Sequence, residues 1–463
     1  MYPIIILSFT GLLTLFLGLS SLRKYVLTFT IFSLFLAAIS LFLDWNLPGV
    51  YFFDMVNIDN KTILVELVLL VTTILVSGIS NVGFLEENEN NPEYYALIQF
   101  TLVGALLMVS FQNYLMLFVG LEILSVGLYV LAGTDKRNLR GNEASIKYFL
   151  MGAFATGILL YGIAMYYGAT QSFKLEAGFS VSNKLPESKV FFYIGMAFIL
   201  VGILFKISAA PFHFWAADVY QGSPSVFTAY MATIVKTAGI FTLLKILLVS
   251  FGGEYAVWSK ILLLVGSASM IIGNVAAVYQ TNFKRMLAFS GISQAGFMIL
   301  SIIGANKLSY GNLAFYSLSY GLATICAFGV FMIVSADQLE NGRSREDVGV
   351  FKGLFTRSPF LAIVLLVSML SLSGIPLTSG FWSKFFVLND AASRGYVWIL
   401  IVGILMSAVS LYYYFKPIRE SFSDNNNLIV SYRISNLVKI SLGISAGLTI
   451  LLGIAPNMFR GLI

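Results

Sequence analysis

Charge is what this sequence lacks most. Only 11% of its 463 residues are Asp, Glu, Lys or Arg, while 58% are hydrophobic; a soluble domain carries about 25% charged residues. Such a chain cannot clothe itself in polar surface, so a soluble globular protein is excluded and a polytopic membrane protein is implied. Cysteine is almost missing too. Cys326 stands alone in an apolar run, which excludes an internal disulfide, a cysteine zinc site and iron–sulfur ligation within the chain. His213 is the single histidine, so bis-histidine haem ligation is excluded as well. The sequence contains neither a glycine-rich phosphate loop nor a dinucleotide fingerprint. No redox cofactor of the familiar kinds is therefore expected in this chain, and no metal. The net charge of +6 needs no nucleic acid, because positive residues collect in the cytoplasmic loops of membrane proteins.

What the sequence has in abundance is apolar runs of the roughly 20 residues that cross a bilayer as helix. They fall near 2–20, 25–43, 61–80, 94–110, 111–131, 143–167, 189–221, 223–250, 257–279, 285–304, 309–337, 359–388, 396–416 and 435–457, which is fourteen spans. The first, in MYPIIILSFTGLLTLFLGLSSLRK, has Arg23 and Lys24 behind its apolar run and not before it. That is the wrong order for a signal peptide, so it reads as a retained span with the N-terminus outside. An even number of spans puts both termini on that side. The inside loops then hold Arg23, Lys24, Lys136, Arg137, Arg140, Lys284, Arg285, Arg343, Arg345, Lys352, Arg357, Lys416, Arg419 and Arg433, as the positive-inside rule asks. The acidic inside loop EENENNPE (86–93) does not weigh against this, since acids contribute little to the rule.

Two spans are broken by proline. Pro211 interrupts FKISAAPFHFWAADVYQGSPSVFTAYMATIVK, and Pro376 interrupts LSGIPLTSGFWSKFF. Phe–Trp follows each break, as Phe214–Trp215 and Phe381–Trp382, a weak hint of an internal repeat because the proline-to-tryptophan spacings differ. Proline removes a backbone donor and clashes with the carbonyl four residues earlier, so the first helix should open just past Lys206 and admit water. Broken helices in two halves of a membrane protein point to a transport site.

Charge inside a span is costly, about 2.5–3.5 kcal/mol at the centre on insertion scales, so deep charges tend to be functional. Glu122 is nine residues from either end of NYLMLFVGLEILSVGLYVL, too deep to snorkel; its bland alternative is a neutral acid hydrogen-bonded in a bundle. Lys206 lies at the first break, Lys236 is central in its span, and Lys384 sits beside the second break. Position alone leaves Glu66 open between interface and interior, favours snorkelling for Lys245, and favours the interface for Lys147. His213 is a proton relay or a structural hydrogen-bonding residue, and Asp218 caps or pairs with a base. The tyrosines and phenylalanines of the spans read mostly as packing. Desolvation favours a neutral amine and a neighbouring carboxylate favours the ammonium. A row of lysines joined by water, with a carboxylate that moves, is thus a gated path for protons.

NEASIKYFLMGAF, FKISAAPFHFWAADVYQGSPSVFTAYMATIVKTA, FKRMLAFSGISQAGFM and GIPLTSGFWSKFF resemble the antiporter-like membrane subunits of respiratory complex I, over nearly the whole chain. ATIVKTA with Lys236, the phrase DVYQGSP, and Lys384 are closest to the subunit N branch, called subunit 2 in mitochondria. The resemblance implies an all-α fold of about 14 transmembrane helices: helices 1–3 in residues 1–93, two inverted five-helix repeats (helices 4–8 in 94–250 and helices 9–13 in 257–416), each with a broken helix, and helix 14 in 417–463. It implies a proton channel in which Glu122 pairs with Lys206, Lys236 connects, and Lys384 lies nearer the far exit. Lys147 matches a family lysine opening helix 6, which reverses its positional reading. Ala217 departs from the proline common in the family's WxPDVY phrase, which touches only the local shape of the break. The function implied is a non-redox, proton-translocating subunit of NADH–quinone oxidoreductase. NADH, FMN, iron–sulfur clusters and quinone are expected in partner subunits, with other complex I membrane subunits and lipid as neighbours. The location implied is an energy-conserving membrane, in a bacterium the inner one. Multi-subunit sodium/proton antiporters and membrane-bound hydrogenases share the fold and form the alternative.

Overall fold

A computed structural model describes residues 1–82, 91–183, 186–304, 308–336, 338–340, 343–423, 432 and 434–460. Most of the acidic stretch at 86–93, and Arg433 among the inside charges, lie outside the described residues. The described residues are mostly helical, as the continuous apolar runs require. Its long helices are α1 (Tyr2–Gly18), α2 (Val26–Asp44), α3 (Asn60–Ile79), α4 (Asn91–Ser110), α5 (Tyr114–Ala132), α6 (Leu139–Thr170), α7 (Pro186–Lys206) and α8 (Phe214–Gly222). They continue as α9 (Ser225–Ser250), α10 (Tyr255–Val278), α11 (Phe283–Gly304), α12 (Ser309–Ala336), α13 (Pro359–Ser373), α14 (Ser379–Ala392), α15 (Val397–Ser421) and α16 (Asn436–Ile454). Twelve helices are long and apolar enough to span a bilayer, and two shorter apolar ones, α1 and α13, bring the total to fourteen among the described residues. The limbs α8 and α14 complete the two broken spans. The fourteen expected spans are therefore present, with one break in the set α4–α9 and one in the set α10–α15.

Local chemistry sets the helix ends. Asp59, Asn113 and Asn138 accept hydrogen bonds from the backbone N–H groups of Thr62, Leu115 and Arg140 (2.8, 2.8 and 3.1 Å), satisfying donors that a helix N-terminus leaves free. Proline opens α1 and α13, where its missing N–H removes no helical bond. One end of the bundle carries an antiparallel hairpin, β1 (Gly49–Tyr51) with β2 (Val56–Ile58), and Val56 also bridges Phe111 after α4. The opposite end carries the 338–358 connector, held by Lys284 to Glu346 (2.8 Å) and by the Phe283 N–H to the Glu346 carbonyl (2.8 Å). The α11 and α12 helices are almost wholly enclosed by protein, whereas α6 and α15 present broad apolar faces outward, as helices at the lipid boundary do.

At the first break, α7 stops at Lys206 and the chain turns through Ser208 (φ +56°) before α8 begins. The freed groups are satisfied inside the protein: Trp215 Nε1 donates to the Phe205 carbonyl (3.1 Å) and the Ala210 N–H donates to Ser269 Oγ (2.8 Å). Interrupted backbone is tolerated at membrane depth only when buried like this. The limb α8 packs on α6 of its own set and on α11 of the other, so the break stitches the two halves together. At the second break, Gly374 takes the left-handed conformation (φ +86°) and donates to the Leu370 and Ser371 carbonyls, a glycine C-cap. No side chain fits at Gly380 either, since a Cβ there would stand 1.7 Å from the Ser371 carbonyl oxygen. The two Phe–Trp pairs differ in role, because Trp382 Nε1 bonds the Gly453 carbonyl of α16 (2.8 Å) and not its own preceding limb.

Candidate functional site

The three deep lysines are all buried, and each faces an aromatic ring. Lys206, 4% exposed, donates from Nζ to Ser125 Oγ on α5 at 2.6 Å. Its ammonium position lies 5.8 Å from the Tyr129 ring centre and 5.6 Å from that of Tyr148. Tyr148 stacks on Trp215 (4.7 Å between centroids, 9° between planes), the same tryptophan that caps the break. Ring faces attract a cation that has lost its water, so this box can accept an ammonium without a fixed counter-charge. The expected Glu122–Lys206 pair is not made among the described ion pairs. Ser125 occupies the amine, and Glu122, one turn away at i−3 on the same helix face, is only half-buried. At the break Lys206 is enclosed by protein. The amine turns inward, and the lipid side of the break is an apolar pocket of about 560 Å³ lined by Leu150, Phe154, Phe205, Pro211 and Phe214.

Polar access comes from the connector end. Lys147 pairs with Glu143 (2.6 Å) and Asp218 (2.8 Å), and Asp218 also pairs with Arg285 (2.7 Å). Arg140, Glu143, Lys147, Asp218 and Gln221 line a cavity of about 140 Å³. The Lys147 side chain is 41% exposed, so it belongs to a wet mouth and not to the buried row; Asp218 pairs with bases, as expected. Tyr148, directly after Lys147, is the ring beneath that mouth on which Lys206 rests.

Lys236 is 2% exposed and its Nζ has no hydrogen-bond partner. It follows a π-helical turn, Met231–Val235, a helix irregularity frequent at functional sites, and lies 5.5 Å from the Tyr320 ring centre on α12. Gly291 of α11 makes room for it: a Cβ there would stand 2.3 Å from the Lys236 amine. Tyr320 also lines a small cavity with Gln294, Tyr316, Ser319, Ser383 and Lys384. Its volume of about 10 Å³ is close to that of one water position. Lys384, 7% exposed, donates to the Ser373 carbonyl freed by the second break (2.7 Å) and lies 5.1 Å from the Phe297 ring centre. One aromatic and one water-sized cavity thus separate Lys236 from Lys384.

His213 stands at the start of α8, buried and stacked on Phe214 (4.6 Å between centroids), with no partner for Nδ1. No described hydrogen bond joins it to the lysines. Lys245 does not snorkel freely; its Nζ points to the Val109 carbonyl (3.5 Å) over the Phe111 ring. Sequence reasoning missed the tyrosines. Tyr129, Tyr148 and Tyr320 read as packing, yet they supply the ring faces on which the amines rest. The spacing of Glu122, Ser125 and Tyr129 on one face of α5 was a usable signal for the first of them.

The family described as NADH:quinone oxidoreductase/Mrp antiporter, transmembrane, matches residues 112–410. NADH-quinone oxidoreductase subunit N of Flavobacterium psychrophilum is 38% identical over 453 residues, 97% of this chain and 98% of that protein. A chain in the structure of respiratory complex I from Thermus thermophilus with bound aureothin superposes with a TM-score of 0.85 at 31% identity, covering 99% of this chain and 98% of that one. A chain of the Mrp complex from Dietzia sp. gives a TM-score of 0.87 at 18% identity, covering 99% of this chain and 95% of that one; that likeness is one of fold.

Proposed function

The chain belongs to the NADH:quinone oxidoreductase/Mrp antiporter family of membrane proteins, and from that premise we propose that it translocates protons as a membrane subunit of an NADH–quinone oxidoreductase. The observation that carries the proposal is the buried row Lys206, Lys236 and Lys384, three amines without carboxylate partners among the described ion pairs, each resting on an aromatic face.

Protons enter at the mouth marked by Lys147 and Asp218. They reach Lys206, whose amine is held by a neutral hydroxyl, Ser125, so that its charge responds to what happens at Glu122 one turn away. Bringing a carboxylate close stabilises the ammonium, and withdrawing it releases the proton. Lys236 takes the proton on, and the cavity beneath Tyr320 hands it to Lys384 and the far exit. His213 is a candidate side relay. Electrons move elsewhere, with NADH, FMN, iron–sulfur clusters and quinone in partner subunits; this chain responds through charge and shape. One charge crossing 100 mV is worth about 2.3 kcal/mol, well within what a shift of one ion pair can supply. We place the chain in an energy-conserving membrane, the inner membrane of a bacterium, with the hairpin end and both termini outside.

A sodium/proton antiporter or hydrogenase subunit is the less favoured alternative, because the relative named as subunit N shares 38% identity over almost the full chain, while the Mrp chain shares 18%. The test is Lys206→Met in the reconstituted complex. Pumping should be lost while the complex stays assembled; wild-type pumping in that variant would remove Lys206 from the path and the proposal with it.

A further inference from the structure

Outside the row of lysines, the buried Asp44, Lys284 and Asp390 each have a polar partner, and Glu66 stands apart from them. Glu66 on α3 is 0% exposed, and neither carboxylate oxygen has a hydrogen-bond partner. Sequence position alone leaves it open between interface and interior. A carboxyl buried without donors is more stable as the neutral acid, and ionising it there needs a counter-charge or water. A side chain kept in that condition adds nothing to packing that Leu or Met would not supply better.

Its surroundings place it beside the path. Gly321 of α12 is the point where α3 and α9 close in on each other: a Cβ there would stand 2.9 Å from Thr72 and 3.9 Å from Thr233. Thr233 lies one turn before Lys236, and Tyr320, the ring over Lys236, is next to Gly321. From Thr72 the α3 helix runs six residues, about 9 Å, towards the hairpin end before it reaches Glu66. On α9, Lys245 lies nine residues beyond Lys236, about 13 Å along the axis, also towards the hairpin end. Tyr310 of α12 ties the two outer ends together, with Lys61 of α3 at 5.8 Å from its ring centre and Phe241 of α9 at 5.0 Å between centroids. The charged groups facing this region are Asp44, with the Met1 amine bound to it, Asp59, Lys61 and Lys245. Lys245, held only by the Val109 carbonyl, forms no described ion pair, so a cation without a carboxylate partner and an acid without a hydrogen-bond donor share one end of the α3–α9 contact.

We propose that Glu66 is a proton-carrying site, and that α3, α9 and α12 form a second outlet from Lys236 to the hairpin face, separate from the route through Lys384. Glu66 as the neutral acid gives its proton to water at the hairpin end while the Lys245 ammonium stabilises the carboxylate left behind. The Lys236 ammonium then reprotonates Glu66 through intervening water, and Lys236 is left neutral for the next proton. The balance is one proton out per cycle, with no bond broken other than O–H and N–H.

The proposal rests on the proton-translocating function stated above, and the test separates the two. Glu66→Gln, Glu66→Asp and Lys245→Met are made in the whole complex and reconstituted in proteoliposomes. Protons pumped per NADH oxidised and redox-induced infrared difference spectra are recorded for each. Glu66→Gln should lose one carboxylic C=O band and lower the proton-to-NADH ratio while the rate of quinone reduction holds. Glu66→Asp should keep a shifted band and recover the ratio, and Lys245→Met should shift the wild-type band. An unchanged ratio, or a band that survives Glu66→Gln, overturns the outlet. Should Glu66→Gln fail to assemble, an unshifted band in Lys245→Met overturns it instead. Failure here with Lys206→Met still inactive removes only the outlet; pumping in Lys206→Met removes the function itself.

Discussion

The two broken spans meet the same problem with opposite arrangements. In the first, the lysine sits on the limb entering the break, a tryptophan on the leaving limb caps the freed carbonyl of Phe205, and the amine is left to a hydroxyl from α5. In the second, the lysine sits on the leaving limb and itself caps the freed carbonyl of Ser373, while the tryptophan is committed to α16. Lys206 thereby caps no carbonyl of its own break, and on the proposed path its charge can change without uncapping one. On the proposed path Lys384 would do two jobs, so that its proton affinity and the geometry of its break are tied together.

That contrast can be broken by mutation, and the largest effect is expected at Lys206. Lys206→Met should abolish pumping and leave backbone protection across 203–215 unchanged by hydrogen exchange; loss of protection there would show that Lys206 also holds its break. Lys384→Met should lower pumping and also strip a donor from a buried carbonyl, an omission worth about 1–3 kcal/mol, seen as faster exchange across 371–384. If exchange at that break does not change, the dual role is wrong. Trp215→Phe removes one hydrogen bond, about 1 kcal/mol, and should loosen the first break without touching the second; Trp382→Phe should do the reverse at α16. Ser125→Ala leaves Lys206 its rings but no hydroxyl, so pumping should fall in part, with its pH profile displaced from that of the wild type. The smallest change in stability is expected for Lys147→Gln at the exposed mouth, under about 1 kcal/mol for a half-exposed pair, measured by thermal unfolding of the complex in detergent.

Much of this was legible in the residues. Apolar run length gives the spans because a bilayer demands a helix of fixed length, and all fourteen are found. Pro211 and Pro376 mark the two breaks because proline acts on its own backbone, and α7 does end at Lys206. Lys206, Lys236 and Lys384 stand out because deep charge is rare in such runs. Other features were not legible. Glu66 and Lys245 stand at comparable depths in their helices, and neither depth says which way the side chain is turned. Glu66 is enclosed between α3 and its neighbours, whereas Lys245 reaches a carbonyl over Phe111. Glu122 looked as deep as any residue in its span, yet α5 leaves it only half-buried.

By itself the sequence determined the features set by length, hydropathy and backbone covalency: fourteen helices, two interruptions, and a few ionisable residues too far from water to be incidental. These are local properties, and a bilayer reads them locally. Tertiary structure decided which group each of those residues meets. Ser125 reaches Lys206 across 81 positions of sequence, and Gly291 and Tyr320 come from separate helices to house Lys236. Helix rotation and packing fix those meetings. No span carries that information alone, because each helix is apolar on nearly every side and only its neighbours determine which side becomes the interior.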